Sequence, residues 1–410
     1  MIWINQVLSD FAGKTLKNLL NETPYPDFYN LYGIFQAEQE QYEKAKESFQ
    51  KAIDINKYYL LPRLNSQYIG MVSGKPSLND IPVKMILATR PLVETQLLAV
   101  ELLLMEDRIK EASQILERIL KISSDYPEVF LLKGITLVFS GKKKLGEKEI
   151  QKACLISNHV RERTAFYLKR TRLDRENGKE ILKDLLHRAY VMPLLTEMTG
   201  FCASRGNYVL AGRFLERAKE SNPDSPSFLN LLGDLACSTG NKKEAEKNYL
   251  VADKRDPRCA YAAIKLSFLY GEKGKIDKSL SVLKRSAHMN PLYADLHSYL
   301  GEAYIAKRKF TLAEKHFKKS LSINPRYSKA WMNLAELYEN MKKWDGSFKA
   351  CLKVVSIGRQ TPRFLVEMIK RTFQKSSFSK DKTLLQAIEE YKKANEHPGI
   401  EKLMEIIKIS

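Results

Sequence analysis

The residues from Ala294 to Tyr327 recur, in altered form, every 34 positions along this chain, and such a period forces the stacking of one supersecondary unit. In that stretch His297, Leu300, Gly301, Tyr304, Ala313, Phe317 and Pro325 hold unit positions 4, 7, 8, 11, 20, 24 and 32. The same phase gives Leu266, Ser267, Tyr270, Ser279, Leu283 and Pro291 in 260–293. It gives Leu232, Gly233, Ala236, Ala245, Tyr249, Ala252 and Pro257 in 226–259, and Met198, Cys202, Ala211, Leu215, Ala218 and Pro223 in 192–225. In 328–361 it reads Trp331, Leu334, Ala335, Tyr338 and Cys351, with Arg359 where the proline would stand. Weaker copies occupy 26–59, 60–92, 93–126 and 127–160, while 161–191 is three residues short and lacks the small residues.

Spacings of three and four predict two amphipathic helices per unit, A and B. Small residues at positions 8, 20 and 27 let the pair approach, larger ones at 4, 7, 11 and 24 fill the space between them, and proline at 32 ends helix B. No unit buries its apolar face alone, so neighbours must stack.

The pattern W-x2-L-G-x2-Y, then A-x3-F, then P, resembles the tetratricopeptide-repeat superfamily over roughly residues 26–361. The resemblance implies an all-α, right-handed superhelical solenoid of helix-turn-helix repeats. It divides the chain into an N-terminal capping amphipathic helix (1–25), four divergent repeats (26–160), a degenerate repeat or junction (161–191), five repeats (192–361) and C-terminal capping helices (362–410). In the cap Ile4, Leu8, Phe11 and Leu19 share a stripe that covers the first repeat. Peripheral contact with a membrane is the other use of that stripe, although only Lys14 and Lys17 give it positive charge. Leu384, Leu385 and Ile388 are expected to close the far end.

Composition excludes several classes. Of 410 residues 44% are hydrophobic and 28% charged, which is globular and not disordered. Five scattered cysteines with no C-x-x-C fit a reducing, cytoplasmic setting rather than a disulfide scaffold. No stretch is apolar enough to span a bilayer, and the first residues lack a secretory signal. Gly13-Lys14-Thr15 and the run from Gly70 to Ser77 only approximate phosphate-binding loops, and no zinc or nucleophile motif occurs. No catalytic, cofactor or metal site is expected.

In the tetratricopeptide family helix A lines the concave groove. Transferred here, that geometry makes Leu64, Tyr68, Leu97, Leu104, Leu131, Ile135, Val138 and Phe139 an apolar lane. It makes Asn230, Asp234, Tyr261, Phe268, Asp295, Glu302, Lys329 and Glu336 a polar, acidic-leaning one. The carboxylate clamp of chaperone-binding members is missing. The net charge of +20 favours anionic partners, but most lysine clusters fall at A–B turns or on helix B. An exception is the run Arg161, Arg163, Lys169, Arg170, Arg172 and Arg175, a patch for an acidic partner or the solvated face of an irregular helix. The leading expectation is a non-catalytic scaffold or adaptor holding a peptide or partner domain in its groove. A basic RNA-binding solenoid and a non-catalytic regulatory or structural subunit of a larger complex are the alternatives.

Overall fold

The computed structural model describes residues 6–74, 81–89, 91–123, 125–168, 175–357 and 363–377. These residues form 21 helices and no strand, an all-α helical-repeat solenoid. The chain divides into two compact units, Met1–Ala262 and Ala263–Ser410.

The first unit holds α1 (Gln6–Glu22), α2 (Pro26–Glu38), α3 (Tyr42–Ile55), α4 (Leu60–Val72), α5 (Val83–Thr89), α6 (Val93–Met105) and α7 (Ile109–Leu120). It continues with α8 (Pro127–Phe139), α9 (Lys143–Ile156), α10 (Asn158–Leu168), α11 (Arg175–Ser204), α12 (Tyr208–Ser221), α13 (Pro226–Ser238) and α14 (Lys242–Arg255). The boundary falls within α15 (Ala260–Glu272). The second unit holds α16 (Ile276–Met289), α17 (Ala294–Ala306), α18 (Phe310–Ile323), α19 (Ser328–Asn340), α20 (Trp344–Ile357) and α21 (Arg363–Lys375).

Helices A and B touch because glycine removes the obstacle between them. A Cβ added to Gly301 would lie 2.4 Å from the Phe317 ring, and one on Gly233 would lie 2.4 Å from Tyr249. Ala245 and Ala313, at position 20, are fully buried in the same seams. The expected close packing is therefore present in both units.

The A–B turn carries a signature that the side-chain pattern hides. Glu40, Gly74, Asp107, Gly141, Gly206, Gly240, Gly274, Arg308 and Lys342 all have positive φ, between 55° and 79°. Each is residue 15 of its repeat. In every one of these turns but that of Gly74, whose next residue lies outside the described ones, the next amide returns to the carbonyl of position 11, as from Lys309 to Tyr304 (2.9 Å) and Lys343 to Tyr338 (2.8 Å), a Schellman closure of helix A. The same turn therefore recurs in the weaker N-terminal copies as in the clear C-terminal ones. At the other end Asn324 accepts from the Arg326 amide (3.1 Å), folding the chain around Pro325.

In the first unit α1 packs on α2 through Leu8, Ala12 and Leu16, all buried, and Phe11 reaches Phe201 and Phe214, each at 6.4 Å between ring centroids. Of the expected capping residues, Ile4 and also Leu384, Leu385 and Ile388 lie outside the described residues. α11 runs for 30 residues as one helix, joining the end of the 161–191 segment to helix A of the 192–225 repeat. It contacts α2, α6, α8 and α13. Asp256, at the end of the 226–259 repeat, is buried and accepts from the Val93 amide at 2.9 Å, so it caps α6 from a distant repeat.

Candidate functional site

The expected apolar lane lies beneath a helix of the same unit. Leu64, Leu104 and Ile135 are fully buried, Leu97, Leu131, Tyr68 and Phe139 nearly so, and Val138 packs against the same core. Much of their cover is α11, whose Ile181, Leu182, Leu185, Leu186, Tyr190 and Val191 belong to one continuous core with them. Gly178 lets the helix sit close: a Cβ there would meet the Phe139 ring at 2.5 Å. Further along, the Tyr68 and Tyr190 rings lie 4.6 Å apart, and the Tyr68 hydroxyl meets His187 Nδ1 at 3.1 Å.

This contact carries perturbed acids and bases. Glu38 lies 4.0 Å from His187. Burial raises the Glu38 carboxyl to about 7 and lowers the His187 imidazole to about 4, since each is held where its charged form loses water.

Three of the expected polar-lane residues meet around a cavity of about 560 Å³ in the first unit. Asn230, Asp234 and Tyr261 line it, together with Leu97 of the apolar lane. Asp234 accepts from Tyr249 at 2.5 Å and also from the Tyr261 hydroxyl.

The second unit presents the remaining polar residues on its A helices. Phe268 is 44% exposed and meets Tyr299 edge-on at 5.2 Å. Lys329 sits 4.2 Å over the Tyr299 ring and 2.9 Å from Glu302, which also accepts from Asn333 at 2.8 Å. The Tyr327 hydroxyl is raised above its ordinary pKa by burial, and then by its hydrogen bond to Asp295. Burial, with Glu339 and Glu302 nearby, raises the Glu336 carboxyl above its ordinary value. The face is therefore aromatic at Phe268 and Tyr299, with Lys329 over the second ring and carboxylates along the same A helices.

The basic features lie elsewhere. Arg161 is exposed and donates to the Cys154 carbonyl at 3.0 Å. Lys169, Arg170 and Arg172 lie outside the described residues, as do the side chains of Arg163 and Arg175. Lys318 and Lys343 both pair with Glu314, at 2.7 and 3.0 Å, and Lys307 pairs with Asp277. Among the described residues no group of three or more His, Cys, Asp or Glu is placed to hold a metal, and no helix is long and apolar enough to cross a membrane.

Sequence reasoning did not single out α11 or the cavity beside it. A usable signal exists, because Ile181, Leu182, Leu185 and Leu186 form an apolar stripe opposite the polar one of Lys179, Glu180, Lys183, Asp184, His187 and Arg188, and Val191, Leu194 and Leu195 extend the apolar side.

Three separate models of the tetratricopeptide repeat match the chain, one each at residues 26–59, 294–327 and 316–348. Among solved structures the chain is similar to PilF of Pseudomonas aeruginosa, at 18% identity, covering 46% of this chain and 85% of that one with a TM-score of 0.41. It is also similar to a thermophilic TPR protein of Thermus thermophilus (26% identity, 45% and 98% covered, TM-score 0.37). A third is MamA of Desulfovibrio magneticus RS-1 (18% identity, 40% and 94% covered, TM-score 0.34). No curated protein sequence matches the chain significantly.

Proposed function

The chain belongs to the tetratricopeptide-repeat superfamily, and from that premise we propose that it is a non-catalytic scaffold whose protein partner lies along the A-helix face of the second unit. The observation that carries this reading is the exposed Phe268, edge-on to Tyr299, with Asp295 and Glu302 on the next A helix and Glu336 on the one after it. An aromatic anchor beside carboxylates fits a segment with an apolar residue flanked by lysine or arginine, the charge setting orientation and on-rate. In the first unit the apolar lane is already covered by α11, which supports a division of labour: that lane holds the protein's own helix, the second unit holds the partner. The five free thiols fit work in the cytoplasm. The pairing of Lys307, Lys318 and Lys343 with carboxylates weighs against a nucleic-acid groove.

Affinity purification with Phe268→Ser and with Glu302→Lys/Glu336→Lys tests the reading, with helicity checked by circular dichroism. Both variants are expected to lose the partner retained by the parent chain. Full retention by both rejects this face as the docking surface.

A further inference from the structure

The cavity of about 560 Å³ in the first unit is strongly acidic in a chain whose net charge is +20. Among its described lining residues are five carboxylates, Glu94, Glu101, Glu128, Glu197 and Asp234, and one basic group, Arg188. Arg188 is already held by Asp184 at 2.8 Å. Glu101 and Glu128 are each only 3% exposed, whereas Glu197 is at an exposed position, its carboxyl raised above its ordinary pKa by burial of the carboxyl end and by Asp27 nearby.

A second observation is independent of these charges. Asn230, on the α13 wall, is 7% exposed; its Nδ2 makes a long contact of 3.7 Å to Cys259 Sγ, and its Oδ1 accepts no hydrogen bond. A buried acceptor left without a donor costs free energy unless something supplies one. Leu97, Leu98, Leu185, Met192 and Leu231 contribute apolar wall, so the space offers methylene contacts beside its polar groups. The volume falls in the range of small-ligand sites.

We propose that this cavity binds an alkylammonium group: its methylenes lie against the leucine and methionine wall, and its N–H donors reach Asn230 Oδ1 and the surrounding carboxylates. Two sources carry that chemistry, a free polyamine and a lysine side chain presented by another protein. The site is independent of the partner face proposed for the second unit, so either can fail alone.

Isothermal titration of the full chain with spermidine, with the peptide acetyl-Gly-Lys-Gly-amide, and with adipate as the anionic control tests the inference. Saturable binding of spermidine or of the peptide is expected, weakening as salt rises, with no binding of adipate. Binding of spermidine alone identifies a free amine; binding of the peptide alone identifies a partner's lysine. Glu197→Gln, at an exposed position, and Asn230→Ala are each expected to weaken binding several-fold. The inference is overturned if neither cation binds, if adipate binds equally, or if both variants, folded by circular dichroism, bind as the parent does.

Discussion

Tyr68 on α4 and Tyr190 on α11 pack ring against ring with centroids 4.6 Å apart, and the Tyr190 hydroxyl is buried without a hydrogen-bond partner. The contact fastens α11 to the repeats by apolar surface, and the hydroxyl is a burden to it. Tyr190→Phe should therefore leave stability unchanged or raise it, because it removes an unsatisfied polar atom. Tyr190→Ala should cost about 3–5 kcal/mol by leaving a cavity in a fully buried site. Urea unfolding of both variants measures the difference; equal losses would mean that the hydroxyl matters and the packing does not.

The repeat turn predicts a gain of stability from a change that touches no core residue. Arg308 and Lys342 hold φ of 55° and 56° at exposed positions, where five of the equivalent residues are glycine. A side chain in the left-handed region crowds the following carbonyl, and glycine does not. Lys342→Gly should raise stability by about 0.5–1 kcal/mol, and Gly240→Ala should lower it by about 1 kcal/mol. Thermal unfolding of the pair checks both signs.

Close approach of helices A and B makes the opposite prediction for a different glycine. Gly301 has Phe317 where its Cβ would be, and that ring is fully buried and cannot swing away. Gly301→Val should destabilise the second unit by about 1–3 kcal/mol. Adding Phe317→Leu should recover part of the loss, since the two positions share one space. A double-mutant cycle giving strictly additive effects would contradict that geometry.

These three cases also mark how much the sequence discloses. Gly301 and Phe317 are legible because the repeat places them at positions 8 and 24, and their contact follows from helical geometry alone. The left-handed residue at position 15 is less so, since Glu40, Asp107, Arg308 and Lys342 are ordinary surface residues whose conformation comes from the Schellman closure. The lane from Leu64 to Phe139 reads as a groove because the family's A helices face inward, and that much concerns position only. What fills the groove depends on a contact between residues over a hundred positions apart, such as Tyr68 with His187. No local period encodes that contact. The lane and the helix do share one clue: each presents an apolar stripe too long to be left facing water.

Asp256 joins distant repeats through the backbone and predicts a graded loss. Its carboxylate accepts from the Val93 amide at 2.9 Å and from the Arg258 amide at 3.1 Å. Asp256→Ala strands a buried N–H and should cost about 1–3 kcal/mol. Asp256→Asn keeps an acceptor and should cost less. Amide exchange at Val93 reads this directly: acceleration is expected in the alanine variant and should be smaller in the asparagine one.

The Glu38–His187 contact gives stability a pH dependence with opposing limbs. Glu38 titrates near 7 when folded against 4.5 as its ordinary value, so its contribution is complete below about 4.5 and is lost as pH rises through 7. His187 titrates near 4 against 6.5, so its contribution is complete above 6.5 and is lost as pH falls through 4. Glu38→Gln removes the first limb and leaves the second. The variant should gain on the parent as pH rises from 4.5 to 7, by up to about 3 kcal/mol, and hold that margin at higher pH. His187→Gln should instead gain on the parent as pH falls from 6.5 to 4. Tyr68, Asp184 and Arg188 also surround the imidazole, and Asp184 and Arg188 pair with each other at 2.8 Å. Urea unfolding at half-unit pH steps from 4 to 8 measures both limbs; parallel curves for Glu38→Gln and the parent would show that the carboxyl titrates alike in the folded and unfolded chain.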